Sequence, residues 1–343
     1  MCPATVPGAS EPCPDQVPPS TVPPRTSRPR RPLRSRLLVS GAAGAGALTA
    51  LVALGTVVHP GGDRPAAPGS PASLSWPAQG QTSVHVEGLG PRGALGSRGA
   101  QKPVPLASVT KVMTAYVILR DHPVPPDGDG ARITVDARAA QESSLGAEST
   151  VAVEAGRRLS ERQVLELMLL PSAGNIARML ARWDAGSEEA FVGKMNRAAR
   201  DLGMTNTTYT DSSGITPTTV STSEDQLKLA RQVMRDPVFR SVVAEREAGV
   251  PGVSGTVRNT NTLVGENGVI GVKTGSSTPA GGNLMWAATA PDRDGHERLV
   301  LGVVLHQEAG TGSEQGLDAA LSASGSLIAS VRRWVAATGP ATR

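Results

Sequence analysis

Ser108 and Lys111 are the residues in this chain whose types and spacing first suggest chemistry. Positions three apart on a helix are neighbours, so the hydroxyl would sit beside the amine. Burial lowers a lysine pKa, because desolvation disfavours the charged form, and a neutral amine can then take the proton of a serine nucleophile. The same spacing also fits an ordinary amphipathic helix with a solvated serine and lysine on its polar side. Composition bears on that choice. The lysines are Lys102, Lys111, Lys194, Lys228 and Lys273, and every other basic residue apart from histidine is arginine. An arginine cannot act as a base that gives up its proton, so a lysine at 111 carries more information here than in a lysine-rich chain.

Two further groups stand out. Lys273-Thr274-Gly275 falls at the end of an expected strand. A lysine there could anchor a substrate carboxylate, and Gly275 would let a substrate backbone approach closely; a plain strand-end turn is the alternative. Ser172, in Pro171-Ser172-Ala173-Gly174-Asn175, follows an apolar helix, where a serine is ordinarily a cap or turn residue. His59, His85, His122, His296 and His306 are scattered, with no His-Glu-x-x-His zinc motif, and His306 is expected as a satisfied structural residue on a strand. The sequence has neither a Gly-x-Ser-x-Gly elbow nor a Gly-x-x-x-x-Gly-Lys phosphate loop.

The elements that must position these residues can be outlined. Pro103 and Pro105 bring the chain in extended, so a helix is expected from near Ser108 to Arg120. Val109, Val112, Met113, Tyr116 and Val117 would form its buried face, with Ser108 and Lys111 half-buried at the edge. Thr82 to Glu87 alternates as a strand, with a weaker one within Gly88 to Gly99. Helical patterns follow at Ser160 to Leu170, Glu188 to Leu202 and Glu224 to Met234, with a short one in Pro237 to Glu247. Strand signals return at Gly268 to Thr274, Asn283 to Ala290 and Arg298 to His306, and Ser313 to Ala337 closes the chain as a helix. Strands at both ends with helices between predict a mixed α/β fold of the α+β type. Its antiparallel sheet of about five strands would be flanked by N- and C-terminal helices and carry a helical insertion. Two Phe, two Tyr and four Trp leave a core that must be mostly aliphatic.

The first 36 residues are proline-rich and lack an apolar pattern, so a disordered tail is expected there. Six arginines against Glu11 and Asp15 give this tail +4, the net charge of the whole chain. The basic balance therefore belongs to the tail and gives no support to nucleic-acid binding. Residues 37–58 carry no charge and, at about 1.5 Å per residue, are just long enough for a bilayer core of roughly 30 Å. The arginines before this span predict a cytoplasmic tail and an external C-terminal part, with a cleaved signal peptide as the alternative. Residues 59–75 read as a linker, 76–337 as one domain and 338–343 as a C-terminal tail. Cys2 and Cys13 both lie in the first segment, so the domain has no disulfide and no cysteine ligand or nucleophile.

Taken in order, Ser108-x-x-Lys111, Ser172 and Lys273-Thr274-Gly275 resemble the three-motif signature of the penicillin-recognising serine enzymes. More closely, the domain resembles a serine-type D-alanyl-D-alanine carboxypeptidase. Supporting pieces are Leu169-Leu170-Pro171-Ser172, Ala185-Gly186-Ser187, Phe191 to Asn196, Leu202-Gly203-Met204 and Gly282-Asn283-Leu284. The resemblance implies a DD-peptidase/β-lactamase-like fold, no cofactor and no metal. It implies Ser108 as the acylated nucleophile, Lys111 as its base and Ser172 as a proton relay. Lys273 and Thr274 would bind the terminal carboxylate, and the amides of Ser108 and Ser276 would form the oxyanion hole. Peptidoglycan stem peptides would be the substrates and β-lactams the acylating inhibitors of a single-pass protein of the cell membrane, with its catalytic domain outside the cytoplasm.

The chain departs from that signature at one place. The family's Ser-x-Asn motif puts asparagine at position 174, where this chain has Gly174, with Asn175 one residue later. If the loop is shifted, Asn175 is expected to substitute. A non-catalytic muropeptide-binding or scaffold protein is the competing reading drawn from this loss. A β-lactamase would need a base for fast deacylation, and no Glu-x-x-Leu-Asn-like element follows Ser172.

Overall fold

The computed structural model describes residues 70–339, apart from 145 and 147. The expected tail at 1–36, the span at 37–58 and most of the linker lie outside the described residues. Among those described, no helix is long and apolar enough to cross a membrane. The end of the expected linker belongs to the folded part: Leu74 is buried, and the Ser75 amide donates to Ser330 Oγ at 3.0 Å.

Five strands form one antiparallel sheet: β1 (Gln81–Val86), β2 (Ala94–Arg98), β3 (Val269–Ser277), β4 (Gly281–Pro291) and β5 (Glu297–Gln307). Their spatial order is β2-β1-β5-β4-β3, so the N-terminal hairpin is completed by the C-terminal meander through the β1–β5 pairing. Successive residues of a strand face opposite sides, and in β4 and β5 both sides are covered. Leu284, Trp286 and Ala288 pack with Val300, Val304, Leu327 and Val331 under the C-terminal helix, while Met285, Ala287, Leu301 and Val303 join the helical core. Burial on both faces is why β4 and β5 read as near-continuous apolar runs.

The helical insertion runs α1 (Lys111–Asp121), α2 (Ala137–Glu142), α3 (Glu161–Leu169), α4 (Gly174–Ala185), α5 (Glu188–Asp201), α6 (Ser223–Val233) and α7 (Pro237–Val243). The closing helix is α8 (Ser313–Ala336). A Ser160/Gln163 capping box starts α3. A 3-10 turn, Ala107–Thr110, leads into α1, whose Tyr116 is only half-buried. Two helices were not expected. The first turn of α4 has no side-chain cap, since Ala173 is its N-cap, yet Ile176, Met179 and Leu180 are buried at helical spacing and Gly186 stops the helix at φ 78°. Short α2 is started by Asp136, whose side chain caps Ala139 N. The strand β3 also runs past its expected end, so Lys273-Thr274-Gly275 sits inside a ladder rather than at a turn.

Gly302 of β5 lies opposite Trp286 of β4, and a Cβ there would come within 2.1 Å of the indole ring. Gly302→Ala is therefore expected to destabilise the domain by about 1–3 kcal/mol through overpacking. Thermal unfolding should read this as a drop of about 2–4 °C per kcal/mol.

Candidate active site

The turn that starts α1 carries Ser108. Ala107, just before it, has φ 46°, a conformation that L residues rarely adopt. Asn283 of β4 holds the incoming segment, donating from Nδ2 to the carbonyls of Pro105 at 3.1 Å and Leu106 at 2.9 Å. One turn on, Lys111 is 1% exposed, not half-buried as expected, because α1 packs against α3, α4, α5 and α6 and is buried along most of its length. Its Nζ lies 2.9 Å from Ser108 Oγ and donates to the Ser213 carbonyl at 2.8 Å. Burial brings the Lys111 pKa down to about 8, with the Glu148 and Asp211 carboxylates opposing the shift and Arg178 adding to it. A neutral amine still donates one N–H to Ser213 and offers its lone pair along the 2.9 Å contact, where the Ser108 hydroxyl then donates.

The Ser213 carbonyl had no signal in the sequence, and it is fixed by a loop folded around one carboxylate. Asp211 Oδ2 accepts from the amides of Gly214 at 2.8 Å and Ile215 at 2.7 Å, and Thr114 Oγ1 of α1 donates to the Ser212 carbonyl at 2.7 Å. Gly214, at φ 84°, lies so near the nucleophile turn that a Cβ would meet Ala107 O at 1.9 Å.

From the other side comes the edge strand β3. Lys273 is buried, donates to its neighbour Thr274 O at 3.1 Å and is driven well below the ordinary lysine range by burial and then by the Lys111 charge. Thr274 Oγ1 is 2.6 Å from Thr260 Oγ1, and Ser276 Oγ is 2.7 Å from Ser313 Oγ at the start of α8. At Gly275 a Cβ would lie 2.8 Å from the Ser108 amide nitrogen, so glycine lets the strand close on the nucleophile turn. His306 is structural, as expected, with Nδ1 3.1 Å from Ala280 O.

Ser172 sits between α3 and α4 at φ 69°. It shares with Ser108, Glu148, Thr274, Gly275 and Ser276 the wall of one cleft of about 340 Å³. The structure thus brings Ser108, Ser172, Thr274 and Ser276 to one surface, with the two lysines behind it. Asn175 does not join them, which corrects the expectation that it substitutes for the missing motif asparagine. Its Nδ2 donates to Ala139 O at 3.0 Å and Val151 O at 2.9 Å, and its Oδ1 accepts from Val151 N at 3.2 Å. Every polar atom of that side chain is spent on holding the segment before α3. Among the described residues, the grouping able to hold a metal is Asp292, Asp294 and His296, in the β4–β5 turn away from the cleft. Arg298 Nη2 pairs with Asp292 there at 2.6 Å, which accounts for it as a turn.

The pattern of the D-alanyl-D-alanine carboxypeptidase family matches residues 93–308. The chain belongs to this family. It is 34% identical over 214 residues to the D-alanyl-D-alanine carboxypeptidase of Streptomyces sp. (strain K15), covering 58% of this chain and 71% of that one. With the carboxypeptidase DacC of Escherichia coli it shares 30% over 203 residues, 58% of this chain but only 50% of the relative. Among solved structures, the Streptomyces K15 DD-transpeptidase superposes with a TM-score of 0.61 at 28% identity, covering 74% of this chain and 99% of that one. Penicillin binding protein 6B of Escherichia coli superposes at 0.59 and 26% identity, over 71% and 76%. By family and fold the chain is a serine-type D-Ala-D-Ala carboxypeptidase, a hydrolase of the DD-peptidase/β-lactamase-like class.

Asn175→Ala would remove the side-chain hydrogen bonds to the Val151 amide and to the carbonyls of Ala139 and Val151. It is expected to cost about 1–3 kcal/mol, read as a lower denaturation midpoint. A variant equally stable but slow in acylation would instead return Asn175 to the chemistry.

Proposed function

We propose that this carboxypeptidase works through an acyl-enzyme on Ser108, removing the terminal D-alanine of peptidoglycan stem peptides, and that β-lactams acylate the same oxygen. The carrying observation is a lysine fully out of water, with a pKa near 8, in contact with a serine hydroxyl at 2.9 Å. Lys111 takes the Ser108 proton as Oγ attacks the penultimate carbonyl. The amides of Ser108 and Ser276 receive the developing oxyanion, and Ser172 hands the proton to the departing D-alanine nitrogen. Water then hydrolyses the Ser108 ester, with Lys111 again accepting a proton. Lys273 and Thr274 bind the substrate carboxylate through an amine and a hydroxyl, Thr274 from the cleft wall and Lys273 from behind it.

The reading extends to anchorage. The charge-free stretch at 37–58 following an arginine-rich segment supports a single span, with 1–36 cytoplasmic and the domain from about residue 70 outside, joined by the residues between. A binding protein without turnover is the second reading, favoured by Gly174 and by Asn175 facing away from the cleft.

Fluorescent penicillin should label the full chain and not Ser108→Ala, and a D-Ala-D-Ala peptide should release D-alanine. Acylation should rise with pH and level off above about 8, because Lys111 accepts a proton only when it has lost its own. Labelling without release would favour the binding protein. No labelling of the folded chain would remove Ser108 as the nucleophile.

A further inference from the structure

Position 174 lacks a side chain, but the space beside it is filled. A Cβ on Gly174 would lie 1.9 Å from Glu148 Oε2, 2.3 Å from its Cδ and 2.7 Å from Oε1. The carboxylate of a residue before α3 thus stands where a side chain at 174 would begin, and it lines the cleft beside Ser108 and Ser172. The placement is built in. The Gly174 amide donates to Ser149 O at 2.8 Å, tying the segment of Glu148 to the start of α4. Arg178, one turn further along α4, pairs through Nη1 with Glu148 and reaches Ser213 Oγ at 3.4 Å, while its Nε donates to Glu142 Oε2 at 2.8 Å. Ser213 is also the residue whose carbonyl holds Lys111.

Resting on the reading of Ser108 and Lys111 as nucleophile and base, we propose that Glu148 is the positioning residue for Lys111, its carboxylate occupying the place that a side chain at position 174 would take. The charged groups facing Lys111 are Glu148, Asp211, Arg178 and Lys273. Of the two anions, Asp211 is committed to backbone amides of its own loop, whereas Glu148 opens on the cleft. An anion beside Lys111 favours its charged form. Glu148 therefore raises the pH at which the base becomes available, against the larger effect of burial, as a neutral amide would not.

The test is a lysine-resolved NMR titration of the full chain, practical with five lysines, alongside the pH profile of fluorescent-penicillin acylation. In Glu148→Gln, the Lys111 titration and the acid limb of acylation should both move down by roughly one pH unit. Gly174→Asn should slow acylation by about tenfold or more, and adding Glu148→Ala should recover most of that loss, because both side chains claim one space. A Lys111 titration unchanged in Glu148→Gln would overturn the proposal and leave Glu148 as a counter-ion of Arg178. Equal impairment of Gly174→Asn and the double variant would overturn the shared space. If the wild type is never acylated while Lys111 still shifts in Glu148→Gln, the acyl-enzyme reading fails and the coupling of Glu148 to Lys111 stands.

Discussion

Keeping one amine out of water is the constraint on which this structure turns. Lys111 lies on a helix with Val112, Met113, Val117 and Ile118 wholly buried around it, an environment that penalises its charged form. A second buried amine, Lys273, lies near enough for the Lys111 charge to add to its own burial and hold it well below the ordinary lysine range. Two cations cannot both be comfortable there, and each amine donates a hydrogen bond to a backbone carbonyl, Lys111 to Ser213 O and Lys273 to Thr274 O. The domain gives up stability at this point, and the pKa of about 8 is the property obtained in return.

That arrangement needs segments distant in sequence to arrive with little tolerance. Glycines at 214 and 275 let a loop and an edge strand press against the turn carrying Ser108, and in both places even a methyl group would collide with backbone. Asn283 ties that turn to the sheet, and the sheet is closed by pairing its first strand with its last. The positive φ values of Ala107 and Ser172 are local costs of about 1–3 kcal/mol each, tolerated because the packing around them fixes the backbone.

How legible this was in the sequence depended on how local each signal is. The central strands and most helices announced themselves by periodicity, and the motif order pointed to the family before any geometry. The helix α4 did not, because it starts at a glycine behind an uncapped turn, where local rules predict a loop. Full burial of Lys111 was also invisible: the spacing gives a face, whereas the depth depends on loops folded over it from elsewhere. Asn175 misled for a related reason. Adjacent in sequence to the motif, it points into the hydrogen-bond network of another segment, because on a helix consecutive residues face different directions. Ser213 and Glu148 had no local pattern, and only tertiary structure brings them to the lysine.

Losing a motif side chain and losing its role are physically different events. A side chain at position 174 projects from α4 itself, so its placement follows from the helix. Glu148 reaches the same volume from a separate loop and brings more rotatable bonds and a full negative charge, which must be restrained and balanced. Arg178 does both, and it can because Glu142 of α2 holds its other edge. A lysine in its place would offer a point charge on a flexible stem, without the planar fork that spans two carboxylates and a serine at once. The chain's general preference for arginine and its lysine at position 111 thus express one division of labour: guanidinium groups fix geometry, and the buried amine is left free to exchange a proton.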